Sequence, residues 1–377
     1  MRYSIRTAGL AVTLLGLLHG LTAIPAVAQD AGATAEAQAL IQKFGLRESR
    51  QSVREMANWR IPKKVVVWQN EERLPGLRVA YPSITFETVG NVASLPKALD
   101  DADVFVGYCI PAGVNSDHEL QWLMSLSVGI ENCAASEVLK RQKTIVTNVK
   151  GLSGPGIAEH AIALMMALNR GLDGFIAAQQ TQHWNRPLYA NDIWELEGRT
   201  VLVVGLGGIG KEVARRAHGL GMNVIATRNS RREGPDYVSY VGLADELLEL
   251  ARQADVVINT APLTDKTRGM FNAEFFKAMQ SHAYFVSVGR GKSTNTDDLI
   301  AALKNGEIGG AGVDVTDPEP LPADHPLWKQ PRVIITPHMA FRSEKLAERN
   351  WILVKENLRR YVNGDKLISV VDLQRGY

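Results

Sequence analysis

The sequence predicts an α/β protein made of two Rossmann-like, doubly wound parallel-sheet units, and three observations carry that reading. From Lys63 onward, short β-branched runs alternate with helical patterns, the arrangement expected of parallel strands joined by crossover helices. The runs are almost continuously apolar, as in sheets covered on both faces. They also fall into two series, separated by the long apolar stretch "GPGIAEHAIALMMALNRGL", which reads as a helix.

Taken in order, the chain opens on a segment unlike the rest. Arg2 and Arg6 precede the apolar run "AGLAVTLLGLLHGLTA", and Ala26 and Ala28 supply small residues before a cut, so residues 1–28 have the form of a secretory signal peptide. The run is short for a membrane span, and an exported, periplasmic protein is the expectation. The alternative is a start at Met56, which gives a leaderless cytoplasmic protein. Residues 29–59, Ala-rich and then charged, read as a helical extension without recognisable chemistry. In the first series "KKVVVW", "DVFVGYC", "SLSVG" and "KTIVTN" read as strands, with "SDHELQWLM" and "ASEVLKRQ" as helices between them. The second series has strands at "TVLVVG", "MNVIAT", "DVVINT", "AYFVSVG", "GGAGVDV" and "RVIITP". The final helix, "SEKLAERNWILVKENLRRYVNG", is expected to return to the first unit.

Composition narrows the function classes. The chain has 377 residues, an apolar fraction of 45% and 7% aromatics, which suits a soluble protein with two sizeable cores. The formal charge of +2 disappears once Arg2 and Arg6 are set aside, so neither a nucleic-acid nor a membrane-surface partner is implied. No metal-ligand pattern stands out.

The glycines give the first chemical signal. Gly205, Gly207 and Gly210 fit G-x-G-x-x-G directly after the strand "TVLVVG" and at the start of a helix, with Gly208 and Ile209 inside the turn. A tight turn, close backbone approach and a helix N-terminus are what a dinucleotide pyrophosphate requires. About twenty residues further on, the second strand of such a unit normally ends in an acid that takes the adenosine ribose hydroxyls. Here that place is held by Arg228, Asn229, Ser230 and Arg231, with Arg232 next. Guanidinium and hydroxyl groups suit a 2′-phosphate that a carboxylate would repel, so NADP is favoured, with NAD as the alternative.

Further signals lie past the ends of later strands, where ligands sit in open parallel sheets. Arg290 follows "AYFVSVG", Asp314 and Glu319 follow "GGAGV", and His338 follows "RVIITP". A His backed by a carboxylate can supply a proton to a group that gains negative charge. Arg290 can grip the substrate carboxylate through its fork, or it can form a structural ion pair. Asp317 also precedes a proline and competes with Glu319 for the His partner role. His118, His160, His183 and His325 read as surface or packing residues.

The runs "VVGLGGIG", "APLTDKTRGMFN", "VSVGRG", "LIAALKNGEIGGAGVDVTDPEPLPADHPLW" and "VIITPHMA" make the chain after Lys63 resemble the D-isomer-specific 2-hydroxyacid dehydrogenases. The resemblance implies an enzyme that moves a hydride between a nicotinamide cofactor and a small 2-oxo or 2-hydroxy acid. It assigns Arg290, Glu319 and His338 to catalysis and Asp314 to the nicotinamide carboxamide. Ala261, Pro262 and Val288 fall to the cofactor. The loop "SLSVGIEN" resembles the one whose backbone amides hold the substrate carboxylate, which makes Val128 and Gly129 substrate-binding candidates beside Arg290 and His338. Two departures are Ser287, where Asn is common, and "MAFRSE" after His338.

The resemblance further implies a discontinuous substrate domain, residues 60–151 with 341–377, around an inserted dinucleotide-binding domain at 152–340. It suggests a homodimer through the helix after Gly154 and the arm "TQHWNRPLYANDIW". The "PLW" and "VVDLQRGY" segments look most like members that reduce glyoxylate or hydroxypyruvate. A corepressor-type scaffold and a formate dehydrogenase share the fold and stand as alternatives. Cys109 and Cys133 lie beyond the ends of strands expected to be neighbours. They could pair near the Val128 and Gly129 loop in an oxidising compartment, or remain two buried free thiols.

Overall fold

The computed structural model describes residues 30–56, 59–116, 118–189 and 192–374. The expected leader at 1–28 lies outside the described residues. Two all-parallel sheets organise the rest. The first has five strands in the order β2-β1-β3-β4-β5: β1 Lys64–Trp68, β2 Thr85–Val89, β3 Val104–Gly107, β4 Trp122–Ser125 and β5 Ile145–Asn148. The second has seven in the order β12-β11-β10-β9-β6-β7-β8. Its strands are β6 Thr200–Val204, β7 Asn223–Thr227, β8 Tyr240–Gly242, β9 Val256–Asn259, β10 Tyr284–Ser287, β11 Gly310–Val313 and β12 Val333–Ile335. In each sheet the order reverses direction next to the first strand, between β1 and β3 and between β6 and β9, the switch point where such sheets bind ligands.

Each sheet is covered on both faces, as its apolar strands require. Val65, Val67, Val104 and Val106 point into one core, while Val66, Phe105 and Leu123 point into another on the opposite face. The same alternation divides Val201 and Val203 from Leu202 and Val204. The long helix Gly154–Asn169 belongs to the second unit, packing Ala158, Ala161 and Met165 against Val201 and Val203. No single helix among the described residues is long and apolar enough to cross a membrane.

Two expectations for the first unit are corrected. "SDHELQWLM" is not a helix and "SLSVG" is not a strand: β4 is Trp122–Ser125, and residues 126–129 form the loop beyond it. Trp122, Leu123 and Met124 are all fully buried, and three consecutive buried residues suit a strand between two covering layers better than an amphipathic helix. The strands β2 and β8 also went unforeseen. "TFETV" alternates exposed and buried positions at the sheet edge, and "YVG" is only three residues long.

Among the described residues of the segment 29–59, helix covers Asp30–Phe44, with a short 3-10 turn at Val53–Glu55. It is not a loose extension. Leu40 and Val53 enter the core of the first unit, the Glu48 carboxylate meets Arg360 at 2.7 Å, and the Trp59 indole N–H donates to the Tyr361 carbonyl at 2.9 Å. All of these clamp the C-terminal helix Glu344–Asn363 onto the first sheet. That helix starts at Ser343, whose hydroxyl accepts from the Leu346 N–H, and stops at Gly364, whose φ of +76° is the left-handed conformation that ends a helix without a Cβ penalty. Tyr361 is its anchor, fully buried, stacked on Trp122 at 5.2 Å and hydrogen-bonded to the Gln121 side-chain amide. Tyr361→Ala should therefore cost about 3 to 5 kcal/mol of unfolding free energy, as for other large buried aromatics. Urea unfolding measures it, and a loss below about 1 kcal/mol would show that this helix does not carry the first unit.

Candidate active site

Register places the site. In the second sheet Thr227, Val204, Asn259, Ser287, Val313 and Ile335 lie side by side at the strand ends. Each strand then releases a loop from the same edge: Arg228 after β7, Gly205 after β6, Ala261 after β9, Arg290 after β10, Asp314 after β11 and His338 after β12. The loops after β4 and β5 of the first sheet face them across a cleft of about 240 Å³ lined by Val128 to Glu131, Asn148, Lys150, Gly207 to Ile209, Ala261, Pro262, Val288, Arg290, Asp314 and His338.

The glycine turn has the shape a dinucleotide needs. Gly205 adopts φ +93°, and a Cβ there would press on the Ala261 backbone at 2.9 Å. A Cβ on Gly210 would strike the Gly205 carbonyl at 2.2 Å, so the helix Gly208–Gly219 can sit against the turn only without one. Gly207 is different, because a Cβ there would meet nothing within 4 Å. Its bareness serves the open cleft rather than the fold, as expected where a pyrophosphate approaches backbone. The helix N-terminus carries no side-chain cap, which leaves its N–H groups for an anion.

The basic run after β7 divides into two parts. Arg232 is neutralised by Glu246 at 2.8 Å, whose carboxyl Arg232, the Tyr240 hydroxyl and the Leu243 N–H pull down to about 2. Arg228 is only partly buried and donates to the Glu233 carbonyl at 2.8 Å, while Asn229, Ser230 and Arg231 are exposed. The residues expected to meet the ribose thus stand at the open end of β7.

His338 and Glu319 come together, with Nδ1 and Oε1 2.6 Å apart and both side chains about 40% exposed to the cleft. The side chain of Asp317 is not at this contact. His338 sits at φ +54°, a left-handed conformation that His tolerates better than branched residues do. It is held there by its own N–H donating to the Asp314 carbonyl at 2.8 Å. Phe341 stands edge-on to the imidazole at 6.4 Å and forms part of the wall, so the departure in "MAFRSE" shapes the pocket.

Asp314 takes its expected place in the cleft wall. It is buried, and its carboxylate accepts from the Thr336 hydroxyl at 2.6 Å, the Met339 N–H at 2.9 Å and the Ala340 N–H at 3.0 Å. These contacts fix the loop that carries His338. Behind it His160 Nε2 donates to the Thr336 hydroxyl at 2.8 Å and lies 3.5 Å from the Asp314 carboxylate, so it belongs to the same network. Ser287 accepts from Asn259 at 3.1 Å in a buried network beneath the Ala261 turn, which absorbs the other departure.

Arg290 spans the cleft. Its Nε donates to Glu131 at 2.8 Å and one terminal nitrogen to the Gly289 carbonyl at 2.9 Å. Sequence reasoning missed Glu131, since 159 residues separate the partners and no local pattern links them. Partial burial works to raise the Glu131 carboxyl, but the Arg290 guanidinium, helped by His338, outweighs it and holds the group below the usual carboxylate range. Beside this pair the Val128 carbonyl accepts from Asn148 at 2.9 Å and the Gly129 carbonyl from the Ser127 hydroxyl at 2.7 Å.

Residues 162–340 match the family described as D-isomer specific 2-hydroxyacid dehydrogenase, NAD binding domain. The chain is 35% identical over 251 residues to a glyoxylate reductase of Korarchaeum cryptofilum, covering 66% of this chain and 74% of that one. It is 31% identical over 264 residues to the Homo sapiens glyoxylate reductase/hydroxypyruvate reductase, covering 70% and 79%. It belongs to the D-isomer-specific 2-hydroxyacid dehydrogenase family. Among solved structures, a family protein from Aeromonas salmonicida superposes with a TM-score of 0.71 at 28% identity, covering 82% of this chain and 99% of that one. An NADPH-dependent glyoxylate/hydroxypyruvate reductase from Sinorhizobium meliloti, in complex with NADP and sulfate, gives 0.71 at 25%, covering 84% and 100%. This dehydrogenase is accordingly an NAD(P)-dependent oxidoreductase of 2-hydroxy acids.

One feature sets the substrate side of this dehydrogenase. Cys109 after β3 and Cys133 in the helix Glu131–Ala135 form a disulfide, Cα atoms 5.2 Å apart, so the pairing that the sequence left open is made. It closes a loop with a sequence separation of 24 that contains the Val128 to Glu131 segment. Replacing both cysteines by serine should cost about 3 kcal/mol of stability through the freed unfolded chain. Intact mass of the native protein should rise by about two mass units on reduction, and two thiols alkylated without reductant would refute the bond.

Proposed function

We propose that the enzyme reduces a small 2-oxo acid such as glyoxylate or hydroxypyruvate with NADPH. The observation that carries this reading is the His338–Glu319 pair on the same cleft as Arg290 and the glycine turn. With Nδ1–H donating to Glu319, the other ring nitrogen, Nε2, is left to face substrate. His338 then protonates the alkoxide oxygen as it forms. Arg290 binds the substrate carboxylate and the developing negative charge, assisted by the Val128 and Gly129 N–H groups. A bound dihydronicotinamide would supply the hydride. A scaffold has no use for this set, and a formate donor carries no oxygen in need of His338's proton, so both alternatives fit less well.

His338→Ala should leave NADPH binding nearly intact while lowering 2-oxo acid reduction by a factor on the order of 10² to 10⁴. Turnover that survives the change would remove His338 from the mechanism. The assay, NADPH absorbance with glyoxylate, hydroxypyruvate, pyruvate and formate, also ranks the substrates.

The NADPH preference rests on Arg228 and Arg231 at the open end of β7, and the Sinorhizobium relative is likewise NADPH-dependent. Arg228→Asp deletes an attraction and adds a repulsion, so the NADPH preference should fall by about one to two powers of ten for each charged hydrogen bond to the 2′-phosphate that disappears. The ratio of kcat/KM for NADPH and NADH decides it, and an unchanged ratio would leave the basic run without this role.

The same reading extends to assembly and location. A homodimer through the helix Gly154–Asn169 and the following arm would cover Leu172, Ile176 and Trp184, which is 88% exposed. Sedimentation at the mass of one chain would refute it. Export is supported by the leader-like residues 1–28 together with the disulfide, a bond characteristic of oxidising compartments. N-terminal sequencing that begins at Met56 would overturn it.

A further inference from the structure

We propose that Glu131 is the specificity-determining residue of this site: it holds Arg290 across the cleft in the place of the substrate carboxylate and so restricts the enzyme to small monocarboxylic 2-oxo acids. The inference rests on the 2-oxo acid reading above.

Glu131 comes from the first unit and Arg290 from the second, so their 2.8 Å contact joins the two walls of the cleft. A guanidinium has five N–H donors, and the contacts to Glu131 and the Gly289 carbonyl engage two of them. The remaining donors suit one carboxylate and the adjacent carbonyl oxygen. They do not suit a second carboxylate as well, because Glu131 already neutralises the charge.

Gly129 makes the pairing possible. A Cβ at that position would lie 2.4 Å from an Arg290 terminal nitrogen and 2.6 Å from a Glu131 carboxylate oxygen. The substrate loop is therefore bare where the pair forms, and a substrate carboxylate reaching for the Gly129 N–H arrives beside both side chains. Two consequences follow from a negative charge there. An incoming carboxylate competes with Glu131 for the guanidinium, which weakens binding. A substrate with a further carboxylate on the carbon chain meets direct repulsion as well. The Glu131 side chain is 53% exposed, so it can turn toward solvent when substrate arrives without rearranging the core.

The test compares Glu131→Gln and Glu131→Asp with the unmodified enzyme, on glyoxylate and on oxaloacetate, a 2-oxo dicarboxylate. Glu131→Gln keeps the shape and removes the charge. It should lower KM for glyoxylate about two- to fivefold, the range of a half-exposed ion pair. It should raise kcat/KM for oxaloacetate by at least that factor again, narrowing the discrimination. Glu131→Asp retains the charge and should retain the discrimination. A discrimination ratio unmoved by Glu131→Gln, or a fall in kcat with KM unchanged, would overturn the proposal and reduce Glu131 to a structural partner. Binding of oxamate to the enzyme–NADPH complex, measured by calorimetry, separates the two levels of inference. If no 2-oxo acid is reduced, the functional reading fails. If oxo acids are reduced but oxamate binds Glu131→Gln no tighter, the competition fails alone.

Discussion

The site depends on one buried carboxylate. Asp314 leaves β11 into a position 2% exposed, where an unpartnered polar group would be costly, and it is satisfied by one hydroxyl and two backbone N–H groups from the segment Thr336 to Ala340. Those three donors belong to the turn that presents His338. Because each would otherwise need a partner of its own, the carboxylate and the turn hold each other in place. The unusual backbone conformation of His338 is the local cost of this arrangement, and the Asp314 carbonyl, which takes the His338 N–H, helps to offset it. Glu319, five residues beyond Asp314 on the same excursion, then meets the imidazole at 2.6 Å. The His338–Glu319 pair is thus positioned by the strand end on which it is built.

Much of this was legible in the sequence for a physical reason. A parallel sheet sends every strand end to the same edge, so residues just past successive apolar runs must converge whatever their separation along the chain. Arg290, Asp314 and His338 needed nothing more to be placed on one cleft, with Gly205 and Arg228 past strand ends of the same edge. The glycines were legible because their spacing encodes contacts: Gly205 and Gly210 are forced by neighbours within 3 Å, while Gly207 is left bare toward the opening. What a residue does at the cleft was harder to read than where it lies. Asp314 occupies its expected place, while the partners of its carboxylate in the His338 turn had no signal in the spacing.

The parts that stayed hidden are those set by contacts distant in sequence. A run such as "LQWLM" is helical or extended according to whether layers cover both of its faces, and burial of Trp122 and Met124 on one side with Leu123 on the other decided for a strand. Misreading that strand displaced the following loop as well, and with it the origin of the Val128 and Gly129 segment. Glu131 carries no local signal at all. Its role exists only because the two units bring the loop after β4 opposite the loop after β10.

The two walls of the cleft have different supports. The second wall is held from within by the Asp314 network, while the first is held by a covalent tie. The disulfide anchors the helix that begins at Glu131 to the end of β3, one strand from the loop that carries Val128 and Gly129. A carboxylate meant to compete with substrate must be held loosely enough to yield and firmly enough to return. Glu131 meets both demands because its backbone is fixed two residues before Cys133, whereas its side chain remains half exposed and is held across the cleft by Arg290. The Arg290–Glu131 contact is therefore where the two rigidly supported walls meet through side chains free to exchange partners, which is the property a substrate-binding junction between two units requires.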